Sequence, residues 1–331
     1  MSKKFKVSSN ISLPVNELKV KHQEFIPKDI GFEDNQRVLE QCSILIEEKI
    51  PVLMIGETGT GKTSVVRHLA SKTNNGFVRV NHNGGTTVEE LIGRWLINAN
   101  GQTEWADGIL IQAMKGGYWY LADEINAASA DINFVFHSLL DDDGRVVLAE
   151  KGNEVVIPHE NFRFFGAMNP PGDYAGTKEL NKALLSRFAV LKVDFPAPET
   201  EIKILRSRAG VTKEVAERMV KFAGQIRVGH MKEQFRCVIS TRDLIMWARM
   251  FKKYGRFMVA AECSILNKIN SDDIQSIQTT LELHFKTIDD KLSEQAGVKK
   301  REDSEEEEED NEQERLDALY QILNSAAGNN P

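Results

Sequence analysis

The chain of 331 residues has only three cysteines, Cys42, Cys237 and Cys263, far apart and without C-x-x-C spacing. That scarcity excludes a cysteine zinc site and a disulfide framework, and it points to a reducing, cytoplasmic compartment. No apolar run approaches the ~20 residues that a membrane helix needs, so no spanning segment is expected. The first residues, MSKKFKVSSNISLP, carry lysines but no apolar stretch of the kind a secretory signal has, so none is expected there. Excess positive charge is lacking too, since the net charge is -7. Residues 301–315 hold ten acids and two arginines, a net of -8, which leaves the rest of the chain at +1. A nearly neutral body offers no broad basic surface, so a nucleic-acid motor is the weaker expectation.

What the sequence has is alternation. PVLMIG (51–56), FVRVN (77–81), YWYLAD (118–123), FRFFGAMN (162–169) and VLKVDF (190–195) read as strands, with helical segments between most of them. Strand and helix alternating in this way predict an α/β domain, a parallel five-stranded sheet with helices on both faces. DDDGRVVLAEKGNEVVIP (141–158) breaks the rhythm and reads as a hairpin turning at Lys151-Gly152-Asn153. Beyond Pro196 and Pro198 the pattern becomes all helical, which predicts a second, smaller domain. The expected division is an N-terminal extension over 1–30, the α/β domain over 31–196, a helical domain over 197–290, and a disordered acidic linker over 291–314. A short amphipathic helix and tail over 315–331 would follow.

GETGTGKT (56–63) fits G-x-x-x-x-G-K-[ST] and sits between a predicted strand and a predicted helix. Glycines there let backbone N–H groups turn toward a phosphate chain, and the helix N-terminus favours negative charge. Lys62 would reach the outer phosphates and Thr63 would give its hydroxyl to Mg²⁺. The candidate nucleotide-binding set is therefore Gly56, Glu57, Thr58, Gly59, Thr60, Gly61, Lys62, Thr63 and Ser64.

A triphosphatase of this design needs a carboxylate at the end of a neighbouring strand. YWYLADEIN supplies two: Asp123 to hold Mg²⁺ through water, and Glu124 to orient or deprotonate the attacking water. Asn169 ends another strand, where an uncharged polar group could contact the outer phosphate. Taken alone, it could equally be a turn residue before two prolines. Arg187, at the end of ALLSRF, could be catalytic or an ordinary surface charge.

The order GETGTGKT, ADEIN, AMNPPGDYAGTKELNKALLSRF and STRDLI resembles the AAA+ ATPases over about residues 28–255. More narrowly it resembles the MoxR-type and dynein-related branch, which includes midasin modules and activators of Rubisco and of denitrification enzymes. The resemblance implies a P-loop NTPase sheet followed by a small helical lid, with ATP and Mg²⁺ as cofactors. It implies Walker A roles for Lys62 and Thr63, Walker B roles for Asp123 and Glu124, and sensor 1 for Asn169. Arg187 matches the arginine finger that a neighbouring subunit receives, and Arg242 matches sensor 2. A homo-oligomer, of hexameric type, is thus implied. Ala122 departs from the larger aliphatic residue usual before the aspartate.

The resemblance also implies two inserts, over 93–108 and 143–158. Their Trp95 and Trp105 could contact a partner, though packing within the insert is the simpler expectation. Relatives of this type act on client proteins, commonly with a von Willebrand factor A domain protein. The chain shows no D-x-S-x-S motif of its own for such a domain. A metal-chelatase motor subunit is the alternative. Residues near Ile30 to Phe32 are candidates for contacting the base, and the client is not encoded in the motor motifs.

Overall fold

The computed structural model describes residues 3–16, 24–29, 31–32, 37–170 and 179–299, with side chains up to residue 291. The expected acidic linker beyond 299 and the helix expected over 315–325 lie outside the described residues. The chain divides into two compact units, Met1–Asp194 and Phe195–Pro331. No helix among the described residues is long and apolar enough to cross a membrane.

The first unit opens with an antiparallel hairpin of β1 (Lys4–Lys6) and β2 (Ser12–Pro14). Next come α1 (Arg37–Glu47), β3 (Val52–Ile55), α2 (Lys62–Lys72), β4 (Phe77–Asn81) and α3 (Val88–Ile92). A second hairpin, β5 (Gly93–Ile97) and β6 (Thr103–Asp107), leads into α4 (Ile109–Gly116), β7 (Trp119–Asp123) and α5 (Ala130–Leu139). A third, β8 (Val146–Leu148) and β9 (Glu154–Val156), precedes β10 (Arg163–Met168), α6 (Lys182–Leu185) and β11 (Ala189–Lys192).

Five of these strands form one parallel sheet in the order β11-β3-β10-β7-β4. Side chains alternate across a sheet, so a strand covered on both faces must be apolar at every position. The interior strand β7, between β10 and β4, meets that demand, being buried throughout. Its Trp119 and Leu121 pack with Val65, Val66 and Leu69 of α2, while Tyr120 and Ala122 pack with α4 and α5. Leu13 of the first hairpin is buried beside Cys42 on the α2 side, so part of the region read as an unassigned extension contributes to the core.

The two inserts are both hairpins and they are tied together. Trp95 and Trp105 face each other across β5 and β6, with ring centroids 5.5 Å apart and edge to face. The Trp95 indole donates to the Glu150 carbonyl at 3.1 Å, in the turn of the third hairpin. Lys115 reaches Asp107 at 2.7 Å and Glu154 at 3.2 Å, and Lys151 reaches Glu154 at 2.8 Å.

The second unit is helical: α7 (Pro198–Ala209), α8 (Lys213–Met231), α9 (Thr241–Tyr254), α10 (Phe257–Ser264) and α11 (Ser271–Lys299). Its core gathers Phe222, Trp247, Phe257 and Phe285. The helix α10 has no side-chain cap of its own; Asp289 of α11 accepts from the N–H groups of Phe257 and Met258 at 2.7 and 2.6 Å. The helix α11 runs on to Lys299, past residue 291, the expected start of the linker. The buried Glu201 carboxylate accepts from both terminal nitrogens of Arg227 at 2.8 Å and from Thr241 at 2.6 Å. The Arg227 guanidinium also stacks 4.0 Å from the Phe195 ring centroid.

Two stability predictions follow from this packing. Removing one member of a buried, hydrogen-bonded ion pair strands the other, so Glu201→Ala should cost about 3–5 kcal/mol. Denaturant unfolding followed by Trp247 fluorescence would measure it, and a loss below about 1 kcal/mol would contradict the burial argument. At Gly56 an added Cβ would lie 2.0 Å from the Val193 carbonyl oxygen, backbone against backbone. Gly56→Ala should therefore destabilise the first unit by about 1–3 kcal/mol, read as a lowered thermal midpoint.

Candidate active site

The parallel sheet brings the carboxyl ends of β3, β10 and β7 side by side, the position where open α/β sheets bind ligands. The loop after β3 turns through Gly59 (φ 81°) and Gly61 (φ 102°), a left-handed backbone that only glycine adopts without strain. Gly61 precedes α2 and has no side chain to cap it, which leaves that helix end to an external anion. Thr60 closes the turn by donating to the Glu57 carbonyl at 2.9 Å, Thr58 is exposed at the loop tip, and Ser64 is half-buried in the first turn of α2. Phe32 lies against this loop: a Cβ on Gly61 would meet its ring at 3.6 Å. Ile30 lies outside the described residues.

Lys62 is buried, and its ammonium donates to the carbonyls of Gly56 at 2.6 Å and Glu57 at 2.9 Å. It also donates to Asn169 Oδ1 at 3.0 Å, which Thr58 approaches at 3.5 Å. Thr63 Oγ1 donates to Asp123 Oδ2 at 3.2 Å. Three stretches far apart in sequence, Lys62-Thr63, Asp123 and Asn169, are thus joined by hydrogen bonds at one end of the sheet. Thr63 and Asp123 present hard oxygen donors side by side, the donor type that Mg²⁺ takes, and the uncapped loop with its buried ammonium suits a phosphate chain. The residues present therefore fit both groups.

Glu124 follows Asp123 with φ 54° and ψ 42°, a left-handed conformation that costs a non-glycine residue about 1–3 kcal/mol. Its own carbonyl accepts from Ala127 N at 2.8 Å, closing the turn that aims it outward. The side chain is exposed, and it makes no hydrogen bond or ion pair among the described residues. An exposed carboxylate without a partner among the described residues is accessible to a water molecule.

Two candidates remain, Arg187 and Arg242. Arg187 donates to the Ala183 carbonyl at 2.6 Å and to Asp141 Oδ1 at 3.2 Å, and among the described residues it makes no hydrogen bond or ion pair to the phosphate loop. Arg242 belongs to the second unit, where it is exposed in the first turn of α9. A cation there opposes the helix dipole, so helix stability does not explain it.

Two further residues were not singled out from sequence. Arg79 of β4 binds Asp123 Oδ2 through Nε at 2.7 Å and a terminal nitrogen at 2.6 Å. The signal was an arginine between the two valines of FVRVN. His82 is fully buried, bonded to the Tyr120 hydroxyl at 3.2 Å, and its backbone N–H donates to the Asp123 carbonyl at 2.8 Å. Burial lowers its pKa to about 4 against a smaller opposing pull from Asp123, which keeps the ring neutral at pH 7. A lone histidine after a strand carries no such signal.

Residues 51–188 match the AAA domain of the dynein-related subfamily, and residues 201–287 match the CbbQ/NirQ/NorQ C-terminal family. Among curated relatives, Protein CbbQ of Hydrogenophilus thermoluteolus is 32% identical over 235 residues, covering 71% of this chain and 86% of CbbQ. Midasin of Dictyostelium discoideum is 32% identical over 251 residues, 73% of this chain, but the chain spans only 4% of that protein's length. The aerobic cobaltochelatase subunit CobS of Sinorhizobium sp is 28% identical over 232 residues, covering 66% of this chain and 70% of CobS. A phosphate loop, a strand-end carboxylate and an asparagine meeting on a five-stranded parallel sheet agree with these matches: the chain belongs to the MoxR-type AAA+ ATPases and is an ATP-hydrolysing enzyme.

Proposed function

We propose that this chain is the motor of a ring, six copies in the simplest case, that hydrolyses ATP in the cytoplasm to activate or assemble a client protein. A separate protein with a von Willebrand factor A domain would link ring and client. The observation that carries the reading is that two consecutive residues of the phosphate loop each meet a strand-end group, Lys62 with Asn169 at 3.0 Å and Thr63 with Asp123 at 3.2 Å.

Each residue then has a task. Lys62 and the loop N–H groups of residues 56–64 bind the triphosphate. Thr63, and Asp123 through water, would hold Mg²⁺, which would supply positive charge to offset the phosphates. Glu124 accepts the proton of the attacking water, Asn169 orients that water and the outer phosphate, and ADP and phosphate leave. Arg187 serves the neighbouring copy, which accords with its making no hydrogen bond or ion pair to its own loop among the described residues. Charge developing on the transferred phosphoryl group is then neutralised only when a neighbour is docked. Arg242 acts as the nucleotide sensor of the helical unit.

The similarity to CobS favours a second reading, the motor subunit of a metal chelatase. ATPase turnover that rises only with a chelatase subunit would select it.

Steady-state ATPase measurements test the main proposal. Glu124→Gln should lose about 10²–10⁴ of the turnover while keeping ATP affinity. Arg187→Ala should lose about 10³–10⁵. Mixed together, the two inactive variants should recover activity, because some interfaces then pair an intact Glu124 with an intact Arg187. Mixed rings that form and stay inactive would sink the assignment in trans. Pull-down with Glu124→Gln in ATP is the route to the client.

A further inference from the structure

Arg79 is an arginine in a sheet strand, and its side chain is spent on the carboxylate of the candidate metal site. Asn81 pairs with Asp123 across β4 and β7, and Arg79 pairs with Leu121. Arg79 therefore lies one residue pair back on the same face as Asp123, a diagonal neighbour that a long side chain can reach. Its two nitrogens take Asp123 Oδ2 at 2.7 and 2.6 Å, and the Thr63 hydroxyl takes the same oxygen at 3.2 Å. The other oxygen, Oδ1, makes no hydrogen bond or ion pair among the described residues. The arginine side chain is 50% exposed, whereas that of Asp123 is 10% exposed. The contact gives a buried carboxylate a charged partner, while the arginine end of the pair stays open to water.

We infer that Arg79 shares Asp123 with the metal and thereby sets how strongly nucleotide binding depends on Mg²⁺. The geometry permits sharing, with Arg79 on Oδ2 and Oδ1 open. Two electrostatic effects act in the same direction. A guanidinium on the carboxylate reduces the negative charge that a dication meets. It also offsets that carboxylate's repulsion of the triphosphate, which aids nucleotide binding without metal. Arg79 thus narrows the gap between metal-loaded and metal-free affinity. It acts through Asp123 and is a positioning residue. The inference rests on the proposed role of Asp123 at the metal.

The test is equilibrium binding of a fluorescent ADP analogue to the full chain, in EDTA and across a Mg²⁺ titration. Turnover is not the readout. The quantity measured is the ratio of Kd in EDTA to Kd in saturating Mg²⁺. Arg79→Gln should raise that ratio about tenfold or more, chiefly by weakening binding in EDTA, and Arg79→Lys, which keeps the charge but not the two-nitrogen contact, should restore part of the wild-type value. In an Asp123→Asn background Arg79→Gln should change the ratio by less than about twofold, since the group it acts through is gone. A ratio unchanged or lowered by Arg79→Gln overturns the inference, as does an equal effect in the Asp123→Asn background. Failure of Arg79→Gln to fold would assign the arginine to the fold and also overturn it. A wild-type ratio near one, with no metal linkage at all, would overturn the role given to Asp123 as well. Linkage that Asp123→Asn abolishes and Arg79→Gln leaves alone removes only the inference about Arg79.

Discussion

The register of β10 between β3 and β7 is the constraint from which the site hangs. Met168 pairs with Ile55 on one side, and Ala167 pairs with Asp123 on the other. The next residue, Asn169, therefore emerges beside both the phosphate loop and the strand-end carboxylate. In a parallel sheet buried on both faces, register is fixed by which residues fill each side of the core. A slip of one residue would send Phe165 and Ala167 to the wrong face and carry Asn169 away from Lys62. Apolar packing deep in the sheet thus determines the placement of polar atoms at its edge.

The sheet was legible in sequence because its strands are apolar runs, stopped by glycine at Gly56 and by acid at Asp123. The loop was legible because its glycines are demanded by backbone geometry. Less visible were elements whose side chains do not report their environment. The β5–β6 hairpin leaves Trp95, Leu96 and Ile97 exposed, so it shows no clean in-and-out alternation. Strands of three residues, such as Lys4–Lys6 and Ser12–Pro14, are too short for a pattern. Asp289 of α11 caps a different helix, α10, and no local signal announces that. Arg79 and the left-handed backbone of Glu124 are products of strand pairing, so composition and spacing left them unseen.

Within the site, charge and strain are divided between neighbours. Asp123 is buried and held by a hydroxyl and a guanidinium, while Glu124, one residue on, is exposed and unpaired among the described residues. The left-handed turn at Glu124 makes that division possible, because extended backbone simply alternates faces. Two adjacent carboxylates of the same chemical type are thereby given different surroundings and suited to different work.

The cross-linking of the two insert hairpins has a mechanical meaning. One hairpin follows α3 and the other follows α5, so each is rooted in a different part of the unit. The Trp95–Glu150 hydrogen bond, with the lysine and carboxylate contacts around Asp107 and Glu154, bridges their tips and stems. A load applied to either hairpin is shared with the other, and it reaches the sheet through both roots. Because much of the bridge is ionic and half-exposed, raising the salt concentration should soften it while the apolar core stays stiff.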